Sequence, residues 1–87
     1  KTTPDGRFAY LTAGREGPAI LFLHGIGGAA RAWSRQLRTF GETHRALAWD
    51  MPGYGGSAPL PAVSIAALAD ALAEFVDALG LDRPVLV

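Results

Sequence analysis

Two groups of residues in this sequence have types and spacing that suit ligand binding or catalysis. The first spans His24 to Gly28, where a histidine and three glycines follow an apolar run. The second spans Asp50 to Ser57 and combines an acidic residue, a proline, three glycines and a serine. Backbone N–H groups of a glycine-rich turn can stabilise a negatively charged oxygen, and His and Asp side chains can transfer protons. Both groups are therefore candidates for a functional site.

Each group directly follows a predicted buried strand. Ala19 to Leu23 (AILFL) is a continuous apolar run, which predicts a strand that is covered on both faces. Arg45 to Trp49 (RALAW) predicts a second short buried strand, which ends at Asp50. Open α/β folds bind ligands at the carboxyl ends of their parallel strands, so both groups are expected at the same end of one sheet.

The other predicted elements complete an α/β pattern. They are an edge strand at Arg7 to Ala13, an amphipathic helix from Ala30 to Phe40 that ends at Gly41, a helix after Ser64, and a strand that begins at Val85. The order strand, strand, helix, strand, helix, strand predicts an α/β fold. Its sheet is expected to be mainly parallel, with helices on both faces and an antiparallel N-terminal edge strand.

The second predicted helix has recognisable signals at both ends. Ser64 is a suitable N-cap, and Val63 and Leu68 occupy the two positions of a hydrophobic staple. Gly80 suits a left-handed C-cap, after which Leu81 would pack back on the helix. The predicted apolar stripe of this helix consists of Ile65, Leu68, Leu72, Phe75, Val76 and Leu79.

The composition argues against several classes of protein. The formal net charge is zero and the arginines are scattered, so no nucleic-acid partner is predicted. Cysteine is absent, and His24 and His44 have no carboxylate at ligand spacing, so neither a metal nor another cofactor is predicted. The longest apolar run is far below the ~20 residues that a membrane span needs. With no signal peptide visible, we expect a cytoplasmic protein without a membrane partner.

One alternative is a dinucleotide-binding fold. Gly25, Gly27 and Ala30 satisfy G-x-G-x-x-A between a strand and a helix, and Asp50 follows 20 residues after Ala30, where an acid would bind a ribose hydroxyl. A dinucleotide-binding fold usually begins with the strand that precedes the glycine motif, whereas here an antiparallel strand comes before that strand. In addition, His24 has no role in pyrophosphate binding, and a rigid proline-rich loop follows Asp50. Dinucleotide binding is therefore the weaker interpretation.

A second family accounts for more of these residues. His24 to Gly28 resembles the H-G-x-G oxyanion turn of the α/β-hydrolase superfamily. The D-x-P-G-x-G-x-S loop that follows the next strand in many members is matched by Asp50, Pro52, Gly53, Gly55 and Ser57. The two motifs begin 26 residues apart, and the resemblance covers essentially the whole chain in the right order.

The resemblance implies roles for the residues of the turn. The backbone N–H of Ile26 corresponds to the first oxyanion-hole donor, with Gly27 as the alternative donor. His24, Gly25, Ile26 and Trp33 are expected to bind the substrate, although Trp33 is explained more simply as a core residue of its helix. Because the family's catalytic base lies far downstream, His24 is expected to hold the turn by hydrogen bonding rather than to transfer protons.

The resemblance also implies a topology. The strand that ends at Trp49 would lie on one side of the first buried strand, and the strand at Val85 on the other. Right-handed crossovers would then put the two helices on opposite faces of the sheet, with a ligand crevice beside the central strand. Asp50 is expected to anchor its loop, and Ser57 to brace it.

Residues 1–87 are interpreted as the N-terminal part of a single α/β-hydrolase domain, the remainder of which lies outside this chain. The G-x-S-x-G nucleophile elbow is expected just after Val87, and the catalytic acid and base later, so these residues lack the triad. The resemblance implies an enzyme that hydrolyses a small, apolar, carbonyl-containing substrate, an ester or a lactone, through a serine nucleophile. C–C bond hydrolysis, epoxide opening and haloperoxidase activity are within the family's range. A non-catalytic binding or signalling module with the same fold is the alternative from another class.

Overall fold

The computed structural model describes all 87 residues, from Lys1 to Val87. Its secondary structure follows the predicted order of strands and helices. The elements are β1 (Tyr10–Ala13), β2 (Ala19–Phe22), a 3-10 helix (Ala30–Trp33), α1 (Ser34–Phe40), β3 (Arg45–Trp49), α2 (Ile65–Ala78) and β4 (Val85–Leu86).

The four strands form one sheet in the order β1-β3-β2-β4. β2 pairs in parallel with β3 on one side and with β4 on the other, whereas β1 pairs antiparallel with β3. The predicted mainly parallel sheet with an antiparallel edge strand is thus confirmed. The chain moves from β2 to one neighbour and then back to the other, so the topological switch point lies between β2 and β4.

The two faces of the sheet bury alternate side chains of the same strands. Leu21 packs with Phe75 of α2 on one face. Ile20, the preceding residue, packs with Leu37 of α1 on the other face. Successive side chains of a strand point to opposite faces, which is why a continuous apolar run was required here. The helices therefore cover opposite faces, as expected, and burial of each large apolar side chain contributes roughly 1.5–3 kcal/mol.

The ends of α2 carry the predicted caps. The Ser64 hydroxyl accepts a hydrogen bond from the backbone N–H of Ala67 at 3.0 Å. At the other end, Gly80 has a φ of +63°, and the N–H of Leu81 donates to the carbonyl of Val76 at 3.1 Å. This is the Schellman arrangement, and Leu81 is buried as that arrangement favours.

The first turn of α2 differs from the predicted apolar stripe. Ile65 is 83% exposed and Val63 is 75% exposed, so the predicted staple and the first position of the stripe are wrong. The buried side of the helix runs through Ala71 and Phe75. At about 3.6 residues per turn, Ile65 lies roughly 80° around the helix from Phe75, and its side chain points away from the sheet.

The first helix is divided into two parts, where the sequence predicted one continuous helix. Residues 30–33 form a 3-10 helix, and α1 begins at Ser34. The carbonyl of Arg31 accepts hydrogen bonds from both the N–H and the hydroxyl of Ser34, the latter at 2.7 Å. This local bonding satisfies the carbonyl that an α-helix would use one residue later, which keeps the first turn tight.

β1 begins at Tyr10, three residues later than predicted. The backbone groups of the preceding residues bond to other parts of the chain. The N–H of Ala9 donates to the Ser57 hydroxyl at 2.9 Å, and the carbonyl of Arg7 accepts from the N–H of Ala58 at 2.8 Å. Residues 57 and 58 therefore take the place of a strand partner here. No helix has both the length and the apolar character needed to cross a membrane.

Candidate active site

A tight turn at residues 25–28 lies at the carboxyl end of β2, beside the switch point. The N–H of Gly28 donates to the carbonyl of Gly25 at 2.9 Å. Gly27 has a φ of +83°, whereas Ile26 has a negative φ. These values define a type II turn, in which the third position favours glycine because other residues rarely adopt positive φ.

The direction of the Ile26 N–H follows from the first peptide unit of this turn. The Gly25 carbonyl is held by two donors, Gly28 N–H and His24 Nδ1, each at 2.9 Å. In a trans peptide the N–H points away from the carbonyl oxygen, so holding that carbonyl also orients the Ile26 N–H. The Ile26 N–H has no acceptor within the chain. The N–H of Gly27, by contrast, donates to the Tyr54 hydroxyl at 3.4 Å.

His24 joins the turn to the loop that follows β3. Its buried ring accepts a hydrogen bond at Nε2 from the backbone N–H of Met51, at 3.0 Å. Because Nε2 is the acceptor, the proton of the neutral ring lies on Nδ1, which donates to Gly25. The Tyr54 ring packs edge-to-face against the imidazole, with ring centroids 5.2 Å apart. The predicted hydrogen-bonding role of His24 is confirmed, because both ring nitrogens make hydrogen bonds within the chain.

Asp50 has a similar joining role on the other side of the turn. One carboxylate oxygen accepts from the N–H of Ala30 at 2.8 Å, and the other from the N–H of Gly56 at 3.3 Å. The residue before Ala30 is an alanine without a capping side chain, so Asp50 supplies the cap of the 3-10 helix from β3. The Ser57 hydroxyl donates to the Asp50 carbonyl. The predicted anchoring and bracing roles are confirmed, and the Asp50 carboxylate is not free to bind a ribose.

The turn forms one wall of an open depression of about 430 Å³. Ile26 is 92% exposed at its rim. Trp33 stacks on Phe22 with ring centroids 4.9 Å apart, and its indole Nε1 is buried without an acceptor. The depression brings together the four residues predicted to bind substrate; its full lining is His24, Gly25, Ile26, Gly27, Gly28, Ala32, Trp33 and Gln36.

Tyr54 and the Met51 N–H are site components that the sequence analysis did not identify. Tyr54 stands at a variable position of the loop motif, and its side chain contacts Gly27 and His24, which lie 27 and 30 positions earlier in the chain. Its aromatic character between two glycines was the only available signal. No group of three or more His, Cys, Asp or Glu side chains is placed to hold a metal ion.

One titratable group with a shifted pKa, Asp5, lies away from this site. The hydroxyl of Thr3 donates to the Asp5 carboxylate at 2.7 Å, and the N–H of Arg7 donates to it at 3.0 Å. These two hydrogen bonds, the first above all, lower the pKa of Asp5 below its usual value of 3.8. This carboxylate stabilises the N-terminal turn and does not contact the depression.

Comparison with known proteins identifies the family. The sequence pattern of the alpha/beta hydrolase fold matches residues 18–87, which include both motifs. The chain belongs to the alpha/beta hydrolase fold family. It is 35% identical over 85 residues to epoxide hydrolase 4 of Mus musculus, a match that covers 93% of this chain and 24% of the mouse protein.

Proteins with other names match similarly large parts of the chain. One is the dihydrolipoyllysine-residue acetyltransferase component of the acetoin cleaving system of Cupriavidus necator, 34% identical over 90% of this chain and 21% of that protein. A solved structure of a bacterial membrane phospholipase A superposes with a TM-score of 0.86 at 32% identity, covering 99% of this chain and 29% of that one. The chain thus spans about a fifth to a quarter of the length of the curated relatives it matches. Relatives with such different names share this part of the fold, so it does not by itself determine the reaction.

Proposed function

We propose that the full-length protein, meaning the natural polypeptide that contains these 87 residues, is a hydrolase of small apolar esters or lactones. The single observation that carries this proposal is the free N–H of Ile26, oriented by the peptide bond that His24 holds. In the proposed reaction this N–H donates to the carbonyl oxygen of the substrate. The exposed Ile26 side chain and the Trp33 ring would contact the apolar part of the substrate.

The chemistry of ester hydrolysis explains why such an N–H is useful. A serine oxygen attacks the carbonyl carbon, and its proton passes to a base, so negative charge develops on the carbonyl oxygen. The tetrahedral intermediate expels the alcohol, which takes the proton from the base, and water then releases the acid from the acyl-enzyme. A preorganised N–H that stabilises the developing charge lowers the barrier by about 2.7–4 kcal/mol. The nucleophile, acid and base of this proposal lie outside residues 1–87.

Ile26 is preferred to Gly27 as the donor because of the partners of the two N–H groups. The Gly27 N–H already donates to Tyr54, whereas the Ile26 N–H has no competing acceptor. A donor without a partner in the chain can bind the oxyanion without first breaking a hydrogen bond within the protein. Gly27 would serve only after the Tyr54 contact opened.

A panel of probes tests the class of reaction. The full-length protein is treated with a fluorophosphonate and assayed with p-nitrophenyl acetate, p-nitrophenyl butyrate and styrene oxide, using heat-denatured protein as the control. Covalent labelling together with ester turnover is the expected result. Epoxide turnover without labelling would contradict a serine nucleophile and favour epoxide opening, the activity in the name of the mouse relative. No labelling and no turnover would favour a non-catalytic binding module.

Two substitutions at one position test the donor. Proline is compatible with the second position of a type II turn but has no N–H, so Ile26→Pro removes the proposed donor while preserving the turn. We expect kcat to fall about 10²- to 10³-fold. Ile26→Ala keeps the N–H and loses only side-chain contact, so KM should rise with little change in kcat. Equal losses of kcat in the two variants would contradict the assignment to Ile26.

A further inference from the structure

We propose that Tyr54 is a positioning residue for the oxyanion turn. This inference rests on the proposed hydrolase function and extends it to a residue in the second motif. The Tyr54 hydroxyl accepts a hydrogen bond from the Gly27 N–H at 3.4 Å, and the Tyr54 ring packs against His24 with the ring centroids 5.2 Å apart. Tyr54 therefore contacts both residues that flank the Gly25–Ile26 unit of the turn.

A hydrogen bond to the Gly27 N–H fixes the orientation of the turn. This N–H belongs to the central peptide of the turn, and the orientation of that peptide is the main difference between type I and type II turns. In the type II orientation the glycine φ is positive, as observed for Gly27. The Tyr54 hydroxyl, by accepting from this N–H, favours the observed orientation over the flipped one. The same contact occupies the N–H that would otherwise compete with Ile26 as a donor.

The ring of Tyr54 acts on the other side of the same turn. It lies against the His24 imidazole, which holds the Gly25 carbonyl through Nδ1. Edge-to-face aromatic pairs of this kind contribute beyond simple burial, so the contact favours the observed orientation of the imidazole. Because the Gly25 carbonyl and the Ile26 N–H belong to one planar peptide, restricting His24 also restricts the proposed donor.

Tyr54 is itself well anchored in its loop. Its N–H donates to the Met51 carbonyl at 2.9 Å, and its carbonyl accepts from the N–H of Ser57 at 2.9 Å. The Ser57 hydroxyl and the Asp50 carboxylate in turn fix this loop to β3 and to the 3-10 helix. Because the backbone of Tyr54 is held on both sides, its side chain has a fixed position against the turn. The loop motif would then position the turn without contacting the substrate.

The test compares Tyr54→Phe with Tyr10→Phe in the full-length protein. Tyr10 is the matched control because it is also partly buried and packs edge-to-face, on Phe75, but its hydroxyl makes no hydrogen bond within the chain. For Tyr54→Phe we expect kcat for p-nitrophenyl butyrate to fall about threefold to tenfold with KM nearly unchanged, as expected for the loss of one neutral hydrogen bond. The affinity for a boronic acid that mimics the tetrahedral intermediate should fall by the same factor.

An amide measurement gives a readout that does not depend on activity. In Tyr54→Phe the Gly27 amide resonance should move upfield and its hydrogen exchange should accelerate, with both unchanged in Tyr10→Phe. If the wild type turns over the substrate but Tyr54→Phe has the same kcat, the same boronate affinity and an unchanged Gly27 amide, the proposed role of Tyr54 is wrong. The proposed hydrolase function would then still stand. Absence of turnover in the wild type would refute the proposed function and, with it, the catalytic meaning of the Tyr54 contact.

Discussion

His24, two residues after the end of β2, accepts a hydrogen bond at Nε2 from the backbone N–H of Met51, two residues after the end of β3, at 3.0 Å. A side chain of the glycine-rich turn thus holds the backbone of the proline-rich loop. The same ring donates from Nδ1 to the carbonyl of Gly25. One imidazole thus provides a partner for two partly buried backbone groups, the Met51 N–H and the Gly25 carbonyl. The two motifs behave as one structural unit, and substitutions within it have measurable consequences.

Removing the imidazole should destabilise the fold. His24→Ala leaves the Met51 N–H and the Gly25 carbonyl each without one partner, and we expect the free energy of unfolding to fall by about 1–3 kcal/mol. His44→Ala is the matched control, because the His44 imidazole makes a hydrogen bond only to the neighbouring Thr43 side chain and packs on Phe40. Urea unfolding of the full-length protein measures both. A loss for His44→Ala as large as that for His24→Ala would contradict the joining role.

Asp50 can be tested by removing its charge. In Asp50→Asn one of the two acceptor oxygens becomes an NH₂ group, which faces either the Ala30 N–H or the Gly56 N–H. We expect a loss of about 1.5–3 kcal/mol, the range for hydrogen bonds to charged groups. Asp70→Asn on the exposed side of α2 should change stability by less than about 0.5 kcal/mol. Thermal unfolding compares the two, and equal effects would show that Asp50 is dispensable as a cap.

Gly55 is expected to be less tolerant of a side chain than Gly6. Both have positive φ, of +48° and +75°, so alanine pays a conformational cost of about 1–2 kcal/mol at either position. A Cβ on Gly55 would also overlap the Asp50 carboxylate, whereas a Cβ on Gly6 would meet nothing within 4 Å. Gly55→Ala should therefore cost at least about 1 kcal/mol more than Gly6→Ala in urea unfolding. Equal costs would mean that the loop moves to admit the methyl group.

The buried indole N–H of Trp33 should contribute little to stability. It has no acceptor, so Trp33→Phe removes no hydrogen bond and can retain the stacking on Phe22. We expect Trp33→Phe to lower the free energy of unfolding by less than the roughly 3–5 kcal/mol typical of truncating a buried aromatic side chain to alanine, because the phenyl ring keeps most of the contact area. Trp33→Ala, which also loses the stacking, should cost clearly more. A Trp33→Phe loss as large as that of Trp33→Ala would reveal an acceptor for the indole elsewhere in the full-length protein.

Asp5 gives a pH dependence with a defined sign. Hydrogen bonds from Thr3 and then Arg7 lower the pKa of this carboxyl in the folded chain below 3.8. A group with a lowered folded pKa stabilises the fold above its unfolded pKa, and this stabilisation is lost as the pH falls through the folded pKa. Thr3→Val should move the Asp5 pKa upward in an NMR titration of its carboxyl carbon. An unchanged titration curve would exclude the Thr3 hydroxyl as the cause.

Elements that depend on neighbouring residues were predicted well. The bounds of β3 agree with the predicted Arg45 to Trp49 segment. The caps of α2 at Ser64 and Gly80 also agree, because capping uses side chains and backbone groups within a few residues of the helix end. The placement of both motifs after buried strands follows from the same local patterns of apolar runs and glycines.

Elements that depend on distant partners were predicted less well. The beginning of β1 is set by backbone bonds from Ala9 to Ser57 and Asp50, far along the chain. The 3-10 helix obtains its cap from Asp50, 20 residues after Ala30, because the local sequence has only Ala29 at that position. Exposure of Ile65 likewise depends on which side of α2 meets the sheet, and apolar character alone could not reveal it.

The sequence by itself determined the fold class, the order of the elements and the position of the glycine turn, because these depend on apolar patterns and on residues with special backbone preferences. The tertiary structure alone decided which N–H groups of that turn are free. The Ile26 N–H is oriented by a peptide that His24 holds, and the Gly27 N–H is occupied by Tyr54, 27 residues away. A contact between two loops depends on the packing of the strands that carry them, and the spacing of residues along the chain does not encode that geometry.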